Sequence, residues 1–206
     1  MDVVTHWPLD AAHLRLAANP DTLHKRVMRY LPDLGGRSSA IRADTDTQYR
    51  VDLPNDVCGD RGRITLRLRS HALEGFTASE GAPQLANGIR LTAVVAAEKR
   101  ATQDDGRVRI RPVTDDEAEE WARELLRRHG FDTSTLAVSA ARAFGSLKAR
   151  RSVHFTVRDI VATVNIADPA LAALAVERGI GRGRAYGLGM LVAMPSAAPV
   201  RAESAS

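Results

Sequence analysis

The sequence predicts an α+β chain of two consecutive ferredoxin-like units, the second complete and the first degenerate. Three observations carry this. From Ile89 onward the pattern reads strand, helix, strand, strand, helix, strand, which is the ferredoxin-like order. Residues 3–69 repeat only the opening strand, helix, strand, strand of that series. Between them Gly75–Gly88 is small and polar with one proline, the composition of a connector. The expected division is therefore 1–75, a linker at 76–88, and 89–206.

Each element has a local reason. Val3–Leu9 is a first strand. Asn19-Pro20-Asp21 supplies a cap residue, a proline at the first helical position and an early acid. Leu23, Val27, Tyr30 and Leu31 then recur at helical spacing and define one buried face, and Pro32 with Gly35-Gly36 closes it. Gln48–Leu53 and Arg63–Arg69 are strands, the second alternating Ile64, Leu66 and Leu68 with basic residues. Ile89–Ala97 is an apolar strand, and a further strand falls near Val108. Thr114 and Glu117 have capping-box spacing before a helix with Trp121, Leu125 and Leu126 on one face and Gly130 at its end. Leu136–Ala141 and Val153–Ile166 are strands flanking a basic hairpin tip with Lys148, Arg150 and Arg151. Asp168-Pro169 opens a helix running to Arg178, and Met190–Met194 is the closing strand.

Composition bounds the function. The chain has 206 residues, 44% of them hydrophobic, which suffices for a core and excludes general disorder. Its formal charge is +4, and arginine supplies nearly all the cations, with lysine only at 25, 99 and 148. Arginine binds phosphate bidentately and stacks on bases, so the balance leans toward nucleic acid, although an ordinary surface would also accommodate it. A single cysteine, Cys58, excludes an internal disulfide, and the six histidines show no zinc spacing. No apolar run reaches transmembrane length and no signal peptide opens the chain, so a soluble cytoplasmic protein without a membrane partner is expected.

The run Gly179-Ile180-Gly181-Arg182-Gly183-Arg184-Ala185-Tyr186-Gly187-Leu188-Gly189 holds five glycines and two arginines. Glycines let the backbone take positive φ and approach a ligand closely. Neither the dinucleotide fingerprint nor a phosphate-binding Gly-Lys-Ser/Thr fits the spacing, and both of those loops follow a strand and open a helix. This run closes a helix and opens a strand. It suits a polynucleotide clamp, with Gly181, Arg182, Gly183 and Arg184 as backbone and phosphate contacts.

Several segments together resemble a known family. Thr5-His6-Trp7-Pro8-Leu9-Asp10, Asn19-Pro20, Leu23-His24-Lys25-Arg26-Val27-Met28 and Leu31-Pro32-Asp33 are similar to the N-terminus of CasE, the repeat-cleaving endoribonuclease of CRISPR subtype I-E. Arg109–Pro112, the Trp121 helix, Arg127-Arg128-His129-Gly130-Phe131 and the glycine run resemble its second half. The resemblance implies two tandem ferredoxin-like domains of the RNA-recognition type. It also implies cleavage of precursor CRISPR RNA at the base of a repeat hairpin, with no metal or other cofactor, and membership of a multi-protein effector complex. Some members carry a tyrosine three positions before the helix histidine, where this chain has Asp21.

Metal-free RNA cleavage needs a group that moves protons near neutral pH and cations for the crowded phosphoryl oxygens. Histidine titrates in that range. His24 lies about 60° from the centre of its helix's apolar face, at the edge of the core. Periodicity alone favours a packing histidine; the family match reverses that and makes His24 the catalytic candidate, as acid or base. Arg29 stands where some members use a lysine near the cleaved phosphate, although it points about 140° away from His24. Lys25 and Arg26 are alternative phosphate contacts, and Lys148, Arg150 and Arg151 fit a hairpin lying along A-form RNA, recognised by shape and backbone. His6, His13, His71, His129 and His154 lack a comparable context. A non-catalytic RNA-binding subunit, or the processing nuclease of another subtype such as type IV, stays open.

Overall fold

The computed structural model describes residues 2–31, 45–54, 56–59, 62–71, 73, 82–102, 106–146 and 153–194. The candidate cations Lys148, Arg150 and Arg151, and the linker residues 76–81, lie outside them.

In the first domain β1 (Asp2–Pro8), β2 (Gln48–Asp52) and β3 (Arg63–Arg69) form an antiparallel sheet of order β1-β3-β2. Ile64, Leu66 and Leu68 of β3 point to one face, where they bury against Trp7, Leu23, Val27 and Tyr49. Two helices cover that face. The sequence reading had no counterpart for α1 (Ala11–Ala18), which Asp10 starts by accepting hydrogen bonds from the amides of Ala12 and His13. The expected helix is α2 (Pro20–Met28), where Asn19 caps the amide of Thr22 and Pro20 takes the first turn. It ends at Met28, before the expected Pro32 stop.

The second domain has strands in the order β10-β4-β9-β7, all antiparallel neighbours, which is the ferredoxin-like arrangement. They are β4 (Ile89–Ala96), β7 (Phe131–Val138), β9 (Val153–Ile166) and β10 (Val192–Ala193). The helices α3 (Ala118–Arg127) and α4 (Pro169–Arg178) pack on one face of this sheet, with Trp121, Leu125, Ala172 and Val176 against Leu91, Ala93 and Val95. Val94 and Ala96, on the opposite face of β4, are buried as well, with Val157 and Leu188. A strand buried on both faces explains why Ala93-Val94-Val95-Ala96 of β4 is continuously apolar.

Several expectations needed correcting. β7 begins at Phe131, five residues before the expected Leu136. Its opening Asp132-Thr133-Ser134-Thr135 is polar, but it lies largely on an exposed strand face where β-branched threonine fits well. β10 is shorter than 190–194, because only Val192 and Ala193 pair with β4. The strand near Val108 is β6 (Val108–Pro112), and it has an unexpected partner in β5 (Glu98–Thr102), the two forming a separate ribbon. The Thr114–Glu117 capping box is only half formed. The Glu117 carboxylate accepts from the Thr114 amide, but the Thr114 hydroxyl donates to it instead of capping the helix. Arg111 and Lys99 of the ribbon draw that carboxylate sideways and hold it far below the usual carboxylate range. Finally, β8 (Arg142–Ser146) pairs with the first residues of β9 as the stem of the expected basic hairpin. No helix among the described residues is long and apolar enough to cross a membrane.

The other face of the first sheet carries Gln48, Arg50, Asp52, Arg67 and Arg69, yet most of it is buried, because the second domain covers it. Arg69 forms a bidentate pair with Asp2 and also donates to the carbonyls of Val176 (2.9 Å) and Leu191 (3.1 Å). Gln48 Nε2 donates to the carbonyls of Val176 and Glu177. These carbonyls lie in the last turn of α4, where helix geometry leaves acceptors without intrahelical partners and the dipole favours a cation. Replacing Arg69 with alanine would leave Asp2 buried without its cation. A loss of about 3–5 kcal/mol in urea unfolding is expected, with D2N/R69M recovering part of it.

Candidate functional site

The glycine run leaves α4 and turns back along the second sheet. Gly179, Gly181, Gly183, Gly187 and Gly189 all have positive φ, as the run's composition suggested. The loop is pinned where Ile180 donates to the Gly189 carbonyl (2.9 Å) and Gly189 donates to Val94 of β4 (2.7 Å). At its crest Arg184–Tyr186 make one 3₁₀ turn. The first domain grips that turn through Tyr49 of β2, whose hydroxyl donates to the Ala185 carbonyl at 2.9 Å. Gly187 passes directly over the Tyr49 ring, where a Cβ would stand 2.7 Å from a ring carbon.

This contact brings His24 of α2 to the loop. Its imidazole is half-buried, with ring centroids 6.4 Å from Tyr49 and 6.3 Å from Tyr186. Tyr186 in turn lies 5.7 Å from Phe155 of β9. A row of rings therefore crosses the junction of the two domains with the histidine inside it. Beside the row an apolar cavity of about 510 Å³ opens between α1 and β8, bordered by Leu14, Leu53, Phe144 and Tyr186.

The remaining cations of α2 stand elsewhere. Lys25, Arg26 and Arg29 line a second cavity, of about 380 Å³, with Trp7 and His13. Arg29 is the C-cap residue of α2, and the guanidinium of Arg26 lies 5.8 Å over the Tyr30 ring. Arg29 thus shares a cavity with Lys25 and Arg26, and His24 faces the aromatic row, in keeping with their angular separation on the helix. Arg182 and Arg184 are exposed on the glycine loop. Arg182 pairs with Glu98 at 2.9 Å, and Arg184 donates to the Arg178 carbonyl at 3.2 Å, so both are oriented by the fold before any ligand arrives. A Cβ on Gly181 would meet nothing within 4 Å, so this stretch of backbone is open, whereas at Gly183 it would meet the Leu188 side chain at 2.6 Å.

Sequence reasoning gave no role to Tyr49, Tyr186 or Phe155. Tyr186 was visible only as the one aromatic among the loop glycines, and Tyr49 and Phe155 read as ordinary strand residues. It also left His13 without context. In the structure His13 Nδ1 lies 2.9 and 3.0 Å from the two carboxylate oxygens of Asp10, and its ring lies 5.8 Å from Trp7. A side-chain partner three residues away, at the start of a helix, was the available signal.

Tandem ferredoxin-like domains joined at a histidine-bearing helix and a glycine loop rimmed with cations define a class, and the comparisons agree. A family model described as CRISPR associated protein matches residues 76–195. The chain belongs to that family, as its resemblance to CasE implied. The CRISPR endoribonuclease Cse3 bound to a 19-nucleotide RNA superposes with a TM-score of 0.70 at 16% identity, over 94% of this chain and 99% of that one. Thermus thermophilus Cse3, bound to an RNA representing a pre-cleavage complex, gives 0.66 at 20% identity, over 94% and 98%. Cas6e from Escherichia coli K-12 gives 0.64 at 17%, over 95% and 100%. No curated protein matches by sequence.

The loop geometry is testable with two glycines of similar φ. G181A should cost only the left-handed conformation, about 1–2 kcal/mol. G187A should cost about 1–3 kcal/mol more in chemical denaturation, because its methyl meets the Tyr49 ring.

Proposed function

We propose that this protein is an endoribonuclease that processes precursor CRISPR RNA, binding a repeat hairpin and cutting it without a metal ion to release guide RNA. The observation that carries this reading is the seating of His24 against the glycine loop, with cations on both flanks, in a fold that superposes on RNA-bound Cse3 over 94% of the chain. The units 1–75 and 89–206 would grip the RNA jointly, as a subunit of an effector complex.

In the proposed reaction the 2′-hydroxyl at the cut site loses its proton and attacks the adjacent phosphorus. The bond to the 5′-oxygen breaks, leaving a cyclic 2′,3′-phosphate, and the departing oxygen takes up a proton. His24 handles one of these two proton transfers, as acid or base; an imidazole is suited to either near neutral pH. Charge gathers on the phosphoryl oxygens, and fixed cations there lower the barrier. Lys25, Arg26 and Arg29 on α2, and Arg182 and Arg184 on the loop, are the cations we assign to the RNA, with Lys148, Arg150 and Arg151 of the hairpin tip. The open backbone at Gly181 would let a phosphate approach closely, with Gly183 beside it as a further backbone contact. Tyr186 offers a ring beside the histidine, although position 21 is an aspartate.

The purified protein should cut a repeat hairpin in excess EDTA, giving 5′-hydroxyl and cyclic 2′,3′-phosphate ends. A 2′-deoxy substitution at the cut site should abolish cutting. A requirement for magnesium would sink the mechanism.

H24A should bind the hairpin nearly as tightly as the parent while single-turnover cleavage falls about 100-fold or more, the scale expected for losing a general acid or base. If binding and cutting fall together with the melting temperature, the ring row is packing and the catalytic assignment of His24 fails.

A further inference from the structure

The apolar cavity beside the aromatic row carries two charged groups on its wall. Leu14 and Leu53 form its aliphatic side and Phe144 and Tyr186 its ring side, with Asp56 and Arg142 among them. Asp56 is built into the turn that follows β2. Its Oδ2 accepts from the Leu53 amide at 2.7 Å, while its own amide donates to the Leu53 carbonyl at 2.9 Å. Among the described residues nothing donates to its Oδ1. Burial raises the Asp56 carboxyl above its usual range, against the opposing pull of the Leu53 amide and of Arg142, so this group is short of donors. Arg142, at the start of β8, turns Nη2 to the Asp159 carboxylate at a loose 3.4 Å. Its Nε and Nη1 are left for a ligand. An aliphatic side chain entering the cavity would match the walls and leave both charges without a partner. A nucleobase matches walls and charges together, because any base stacks on a ring. Of the four bases, guanine alone offers a carboxylate two adjacent N–H donors on one edge and a guanidinium the O6 and N7 acceptors on the other. Leu23 also borders the cavity, and His24 follows it on α2, so a nucleotide whose phosphate stands at His24 has the cavity within reach of its base.

We propose that this cavity is a base-specificity site that takes an unpaired guanine from a nucleotide flanking the cut, with Asp56 reading its N–H edge and Arg142 its O6/N7 edge. The proposal rests on the RNA-processing reading for its ligand, but the site can be probed without any hairpin. Cations elsewhere on the protein hold every RNA alike, so a difference between bases reports the cavity and not the phosphate contacts.

The test is an anisotropy titration of the full-length protein with fluorescein-labelled 2′-O-methyl pentanucleotides, which lack the attacking hydroxyl. All are uridine except at the centre, which is guanine, adenine, cytosine, uracil, inosine or 7-deazaguanine. The guanine oligomer should bind at least about five-fold more tightly than the other three standard ones, the low end of what one bidentate base contact supplies. Inosine lacks the 2-amino group and 7-deazaguanine lacks N7, so each should bind more weakly than guanine. D56N keeps an acceptor for the Leu53 amide and should erase the inosine penalty. R142Q should erase the 7-deazaguanine penalty, and as a change at an exposed residue it carries the test if D56N melts early. Equal binding of all six oligomers would overturn the proposal and leave the cavity to an apolar side chain of a protein partner. A guanine preference that persists unchanged in both variants would overturn it as well. In repeat hairpins varied at the two nucleotides flanking the cut, single-turnover cleavage should favour guanine at one of them. Cutting with no base preference at either would overturn the site and leave the nuclease reading standing. Failure to cut any hairpin, with the guanine preference of the pentanucleotides intact, would overturn the nuclease reading and leave the guanine site standing.

Discussion

The carbonyls that end α4 are the fulcrum of this molecule. Two side chains from the first sheet, Gln48 and Arg69, satisfy them, and Asp2 fixes Arg69 in turn. An ion pair buried in this way gains little over well-packed hydrocarbon, since desolvation offsets most of the attraction. What it supplies is direction. Guanidinium and amide donors reach those acceptors in only one register, so the first sheet can dock on the second domain in only one way. The glycine loop begins immediately after those carbonyls. Gly179 would place any side-chain carbon 2.8 Å from Gln48 Oε1, so loop and interface constrain each other.

From that docking the site follows. Tyr49 lies on the same short strand as Gln48 and reaches the crest of the loop, so the contact that holds the domains together also sets Tyr186 beside His24. The helix α2 then presents two chemically different sides. One carries an imidazole among rings at the domain junction. The other carries Lys25, Arg26 and Arg29 around a hollow that His13 also lines. The division follows from helical periodicity, since residues 24 and 29 cannot share a face, whereas 25 and 29 must.

Much of the fold was legible locally. Asn19-Pro20 and Asp168-Pro169 marked two helix starts correctly, because caps act over three residues and need no tertiary support. Val153–Ile166 was legible end to end, since it is the central strand and its β-branched, apolar content matches its burial. The misjudged elements depend on distant partners. Thr114 and Glu117 had capping-box spacing, but Arg111 and Lys99 compete for the same carboxylate. The basic residues that alternate with Ile64, Leu66 and Leu68 in β3 gave no local sign of an interface, yet Arg69 is 5% exposed under the second domain.

What the sequence determined by itself was the order of elements apart from α1 and β5, the two-unit architecture, the glycine loop of positive φ and His24 as a histidine at the edge of a core. Those properties depend on propensity, periodicity and caps, which act between neighbours in the chain. The tertiary structure alone decided that His24 stands between Tyr49 and Tyr186, that Arg29 turns toward His13 and Trp7, and that Arg182 is held by Glu98. Each of these joins residues from different elements. Their meeting depends on where buried donors and acceptors allow two sheets to dock, and no local pattern encodes that.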